Sequence, residues 1–109
     1  MQSEIIQKIM PKIYEYFGFS FFFFSREHEP IHVHVNNANG ESIFELIIQN
    51  GELVDIEVRH KNGIKPLPAK DEKVAKAFIK KYYKNIVDKW MKVFVMKQNV
   101  RTTHIRERI

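Results

Sequence analysis

Two Asn-Gly pairs, Asn39-Gly40 and Asn50-Gly51, punctuate a run of alternating apolar and polar residues. Asn-Gly is the strongest short-range hairpin signal, because both central residues of a type I′ turn need positive φ. The pattern predicts strands at about 31–36, 42–49 and 52–59, joined as an antiparallel meander with local pairing and no long crossover.

The chain upstream adds a further strand. Phe19 to Ser25 reads as extended, with Phe19, Phe21 and Phe23 on one face and Phe22 and Phe24 on the other. Both faces covered suits a central strand, or one sealed by a partner chain. An aromatic platform for bases is the rival reading, but such aromatics normally alternate with basic residues and none interrupts this run.

Helical periodicity brackets the strands. Residues 3–17 carry Ile5, Ile6, Ile9, Ile13 and Phe17 at near-helical spacing, with Ser3 as N-cap. Pro11 argues for a short helix before it and a turn or second short helix after it, closed by Gly18. Past Ile64-Lys65-Pro66-Leu67-Pro68, a stiff link over an edge of the sheet, a helix is expected from Ala69 to about Lys97. Asp71 is its N-cap or a first-turn anion. Val74, Ala77, Phe78, Tyr82, Ile86, Trp90, Val93 and Phe94 form the apolar stripe. Tyr82-Tyr83-Lys84-Asn85 is the place where one helix would become two. Lys70, Lys73, Lys76, Lys80, Lys84, Lys89 and Lys92 fall on the other face, as solvated charge or as a ridge tracking phosphates. Gln98 to Ile109 is a basic tail: flexible, or a strand that adds to a partner.

The expected architecture is therefore α+β in two layers: an antiparallel meander of about four strands packed against the C-terminal helix or helices, with a short N-terminal helical segment. Residues 1–109 form a single domain, with 1–9 as an extension. Zero cysteines exclude disulfides and a cysteine nucleophile, and the longest apolar run is far too short to span a bilayer. With no signal-peptide pattern, a cytoplasmic protein without membrane contact is expected. The net charge of +5 favours a polyanion or an acidic partner.

Candidate chemistry concentrates in Ser25-Arg26-Glu27-His28-Glu29-Pro30-Ile31-His32-Val33-His34-Val35, which holds three of the five histidines. Strand alternation puts His32 and His34 on one face, and His28 lies on the preceding connection. Three imidazoles suffice for general acid–base work near neutral pH or for a facial metal site. The spacing is no zinc signature, and a polar role on a solvent face competes with both. Glu45 lies between Ile43 and Ile47 on its own face and needs a partner. If the loop ending at Gly40 has two residues, His34 faces Glu45; if four, His32 does. A two-residue turn at Asn50-Gly51 would place Val54, Ile56 and Val58 on the same face.

With these residues in view, the chain resembles the family called domain of unknown function 4160. The likeness rests on Met10-Pro11-Lys12-Ile13, on Tyr16-Phe17-Gly18 leading into the aromatic strand, on the box His28-Glu29-Pro30-Ile31-His32-Val33-His34, and on the helix with Trp90. It covers roughly residues 10–95. The family has no established activity. Its members are small bacterial proteins often encoded beside another short protein, in pairs that look like toxin–antitoxin modules. The element order is also similar to double-stranded-RNA-binding folds and the small interferase toxins built on them, as fold analogy alone.

The function expected is one half of such a pair, acting on RNA or binding its partner protein, without a cofactor. Catalysis would be metal-independent RNA cleavage: His32 or His34 takes the 2′-OH proton and another histidine protonates the leaving oxygen, beside Glu45. Arg26, Arg59 and Lys61 would hold phosphate. A non-catalytic module that dimerises or binds a partner, and a metal site at His28, His32 and His34, are the alternatives.

Overall fold

The computed structural model describes residues 11–24 and 30–109. The proposed helix before Pro11 lies outside them, but the segment after Pro11 is neither turn nor helix. Tyr14 and Tyr16 share one face, and Lys12–Tyr16 forms strand β1. A two-residue turn, Phe17 (φ 42°) and Gly18 (φ 84°), folds it onto β2, Phe19–Phe22. Phe17 thus sits in the left-handed region where a side chain is strained, exposed beneath the Arg108 guanidinium 4.0 Å from its ring.

The meander follows as expected with β3, His32–Asn37, β4, Gly40–Gln49, and β5, Glu52–Arg59. Asn50 (φ 54°) and Gly51 (φ 80°) make the positive-φ turn that their sequence specifies. Asn39-Gly40 does not. Asn37 and Gly40 are the closing pair, with Ala38 and Asn39 at the tip, and Asn37 Oδ1 accepts the Asn39 N–H at 2.7 Å. Gly40 answers a different need: a Cβ there would stand 2.3 Å from the Pro66 carbonyl oxygen and 2.6 Å from that of Lys65. The proline link crosses here, over the start of β4 rather than a sheet edge, and Glu41 N–H donates to Lys65 O at 2.9 Å.

The helix α1, Ala69–Trp90, is unbroken through Tyr82–Asn85 and widens into a π-helical turn, Met91–Val95. Pro68 occupies the N-cap position, so Asp71 is a first-turn anion and not the cap. Ala75, Phe78, Ile79, Ile86 and Trp90 are buried, whereas Val74 and Ala77 face outward. At about 33 Å, the helix is long enough to cross all six strands. It delivers the tail to the far edge, where β6, Thr103–Ile105, pairs in parallel with β1. The sheet order is β5-β4-β3-β2-β1-β6, a wider and mixed sheet than the four-strand meander expected, and Phe19–Phe22 is central in it.

One face packs on α1. Phe78 is the hub, stacked on Phe21 at 4.3 Å between ring centres and flanked by Tyr14, Tyr16 and Tyr82. Val33, Val35, Phe44, Leu46 and Ile56 complete this core. Burying aromatic groups of this size supplies most of the driving force for the two layers to join. No helix among the described residues is long and apolar enough to cross a membrane.

Candidate functional site

The other face of the sheet carries the chemistry, in rows set by strand register. His104, Glu15, Ser20, Asn36 and Glu41 form one row; Phe22, His34, Ile43 and Arg59 form the next; His32, Glu45 and Glu57 form a third. Residues paired across strands share a face, so these are neighbours.

The register selects His32 as the partner of Glu45. The imidazole Nε2 is 3.6 Å from Glu45 Oε1, an ionic contact longer than a hydrogen bond. The same oxygen accepts a hydrogen bond from Arg59. Glu45 is 6% exposed, so its carboxylate is held between an imidazole and a guanidinium, while the Arg59 side chain remains 54% exposed.

Arg59 reaches this position because of one extra residue. Ile47 pairs with Asp55 and Ile48 with Leu53, which leaves Val54 as a bulge. The bulge reverses the faces of β5. Val58 and Ile56, expected beside Glu45, pair instead with Phe44 and Leu46 toward the helix, and Val54 is solvent-exposed. Glu57 and Arg59 take their place. Two carboxylates, Glu45 and Glu57, then oppose each other, and Arg59 supplies the compensating charge.

His34 shares the face but not the exposure. It is 2% exposed, stacked flat on Phe24 with ring centres 3.7 Å apart and followed by Phe22 at 5.6 Å. Glu41 Oε2 stands 3.6 Å from its Nδ1. Lys61 contributes a cation over the Phe24 ring at 5.2 Å. Phe22 and Phe24 were legible as one face of the aromatic strand, but their enclosure of an imidazole depends on the β2–β3 register. His28 and Arg26 lie outside the described residues, so the three-histidine set is not assembled among those described. No other group of three or more histidine, aspartate or glutamate side chains among them could hold a metal ion.

A second polar cluster went unread in the sequence. At the start of α1, Glu72 Oε2 accepts from Ser42 Oγ at 2.7 Å and meets His60 Nε2 at 2.8 Å, while Ser42 Oγ accepts the Leu67 N–H at 3.1 Å. The hydroxyl donates to the carboxylate and not to the imidazole, which is the wrong order for an activated nucleophile. Beside it, Asn37 and Asn39 both donate to Asp71 Oδ2, and these bonds hold its carboxyl below the usual range. Both groups pin the β3–β4 hairpin and the end of β5 to the helix.

No curated protein and no solved structure matches the chain. The profile of one family, described as Domain of unknown function (DUF4160), matches residues 18–91. That span takes in β2 to β5, the box residues His32 and His34, the Glu45–Arg59 pair and the whole of α1, and leaves Met10–Phe17 outside it. More than half of the sequence is covered, and the chain belongs to the DUF4160 family.

Proposed function

We propose that this chain is one component of a toxin–antitoxin-like pair in the cytoplasm, and that it acts on RNA through the face bearing His32, Glu45 and Arg59. The observation that carries this reading is the convergence of His32 and Arg59 on a single oxygen of a buried carboxylate. Glu45 orients the imidazole and balances its charge when protonated. Arg59 keeps donors available to solvent, where a phosphate can take them in a planar, paired geometry. In this reading His32 takes the 2′-hydroxyl proton, and the 2′-oxygen so freed attacks the adjacent phosphorus and expels the 5′-oxygen. The second proton carrier in this scheme is His28.

The test is RNA cleavage by purified full-length protein, read together with growth arrest on expression. His32→Ala should lower cleavage by about 10²–10⁴-fold, the usual contribution of a general acid or base. Intact RNA with the wild-type protein, together with full growth arrest by His32→Ala, overturns the proposal.

A second reading is favoured by the enclosure of His34 and by half-buried Ile43 and Ile47 among the charges. Here the same face binds the cognate partner protein without catalysis. Arg59→Ala would then weaken the complex, and the wild type would cut nothing.

A further inference from the structure

The outer side of α1 has a charge distribution that the far-face site does not use. Lys73, Lys76, Lys80 and Lys84 follow one another at steps of three and four residues, which aligns them along a single ridge. The helix acids stand only near its ends, and each is engaged elsewhere. Asp71 binds Asn37 and Asn39, Glu72 binds Ser42 and His60, and Asp88 pairs with Lys92 at 3.1 Å. No ion pair neutralises the four ridge lysines among the described residues. Lys89, which the sequence placed in the same stripe, is on the opposite side. Its ammonium donates to the carbonyls of Ile13 and Arg101 and to Thr103 Oγ1, locking β1 and β6 to the helix.

We infer that this ridge is a docking surface for the phosphate backbone of double-helical RNA, separate from the His32 site. The four lysines cover about 16 Å of helix axis, comparable to the axial rise of about five phosphates of one strand, at about 3.4 Å of duplex axis each on the B-form scale. Charge complementarity fits the ridge to a polyanion, and its chemistry selects the paired form. Unpaired bases are held by stacking on exposed aromatic faces. Among the described residues the ridge's aromatic rings are already engaged: Tyr82 packs against Tyr14 and Phe78, and the half-buried Tyr83 ring lies under the Lys84 ammonium at 6.0 Å while its hydroxyl donates to Glu52 Oε1 at 3.1 Å. Point charges in a row, without stacking platforms or planar forks, recognise a backbone and not a base sequence. Choosing RNA over DNA rests on the function proposed above; the ridge itself does not.

The experiment is fluorescence anisotropy of full-length protein against an arbitrary RNA duplex of about 20 base pairs, with single-stranded RNA and duplex DNA as separate arms, over a salt series. Four phosphates neutralised give a log–log salt slope of about −3.6 on the B-form scale, a loss of about 150-fold between 50 and 200 mM salt. Lys80→Gln with Lys84→Gln should flatten the slope by about 2, whereas Lys65→Gln with Lys97→Gln, an equal charge loss off the ridge, should not. An unchanged slope after all four ridge lysines become glutamine overturns the surface. Tighter binding of the single strand overturns the duplex assignment, and tighter or equal binding of DNA overturns the choice of RNA. The wild type and His32→Ala separate the two proposals: a wild type that binds duplex but never cuts RNA removes only the catalytic reading, whereas His32→Ala should lose cleavage and keep duplex binding.

Discussion

Glu45 is a carboxylate placed in a sheet among isoleucines, and its neighbours explain why it is tolerated. Arg59 and His32 both reach Oε1, and Glu57 opposite adds repulsion that only a cation can offset. Arg59→Ala should therefore destabilise the fold by about 1–3 kcal/mol, since a buried acceptor loses its charged partner. Arg59→Ala combined with Glu45→Leu should recover much of that loss. Urea denaturation of the single and double variants measures both. Tyr14 gives a second residue-level expectation. Burial, aided by Tyr82 and Asp88, pushes its phenol up to about 12 from the ordinary 10.0. A group whose pKa is raised by folding contributes stability that is complete below its unfolded pKa and lost as pH climbs through the folded one. Stability should fall between about pH 10 and 12, and Tyr14→Phe should remove that component of the fall. Alkaline unfolding followed by circular dichroism reads the difference.

Among the elements, glycines separate two kinds of requirement. Gly51 supplies a positive φ with open space around its Cα, so Gly51→Ala should cost about 1–2 kcal/mol of conformational strain. Gly40 lies against the carbonyls of Lys65 and Pro66, which belong to stiff backbone and cannot turn aside. Gly40→Ala should cost more than Gly51→Ala, and it should also loosen the hairpin from the Asp71 and Glu72 cluster; thermal melting and amide exchange on Glu41 test both. The same comparison shows what the sequence made legible. Asn50-Gly51 was readable because turn chemistry is local. Asn39-Gly40 looked identical, but there the glycine serves a contact made by residues far along the chain. Hairpin parity narrowed the partner of Glu45 to His32 or His34, and His32 was selected because the two-residue tip is Ala38-Asn39, one residue earlier than an Asn39-Gly40 turn. Arg59 at the same carboxylate did not, because nothing in Leu53-Val54-Asp55 announces a bulge, and one extra residue exchanges the faces of everything after it. β1 was missed for a related reason. Ile5, Ile6, Ile9 and Ile13 suggest a helical stripe, while the strand signal rests on only Tyr14 and Tyr16 before the Phe17-Gly18 turn. β6 is three residues long and acquires its identity only from pairing with β1.

The whole molecule is a sheet with two outer strands, and they are protected unequally. β6 is short, whereas β5 runs from Glu52 to Arg59 and ends the sheet among the described residues. An edge of that length is a template for a second chain unless something interrupts it. Two features do. The Val54 bulge breaks the regular spacing of edge donors and acceptors, and the Asp55 carboxylate takes the Ile56 N–H at 2.8 Å, where an incoming carbonyl would otherwise sit. Deleting Val54 would leave Ile48 opposite Leu53 and Ile47 opposite Asp55 as consecutive pairs, so Arg59 would keep its face and its contact with Glu45. The shortened chain should fold with the site intact but present a straighter edge. Removing the bulge and replacing Asp55 with threonine should together convert a discrete species into one that associates as concentration rises, measurable by sedimentation velocity. Unchanged sedimentation across a hundredfold concentration range would mean that the bulge and Asp55 have no protective role at the edge.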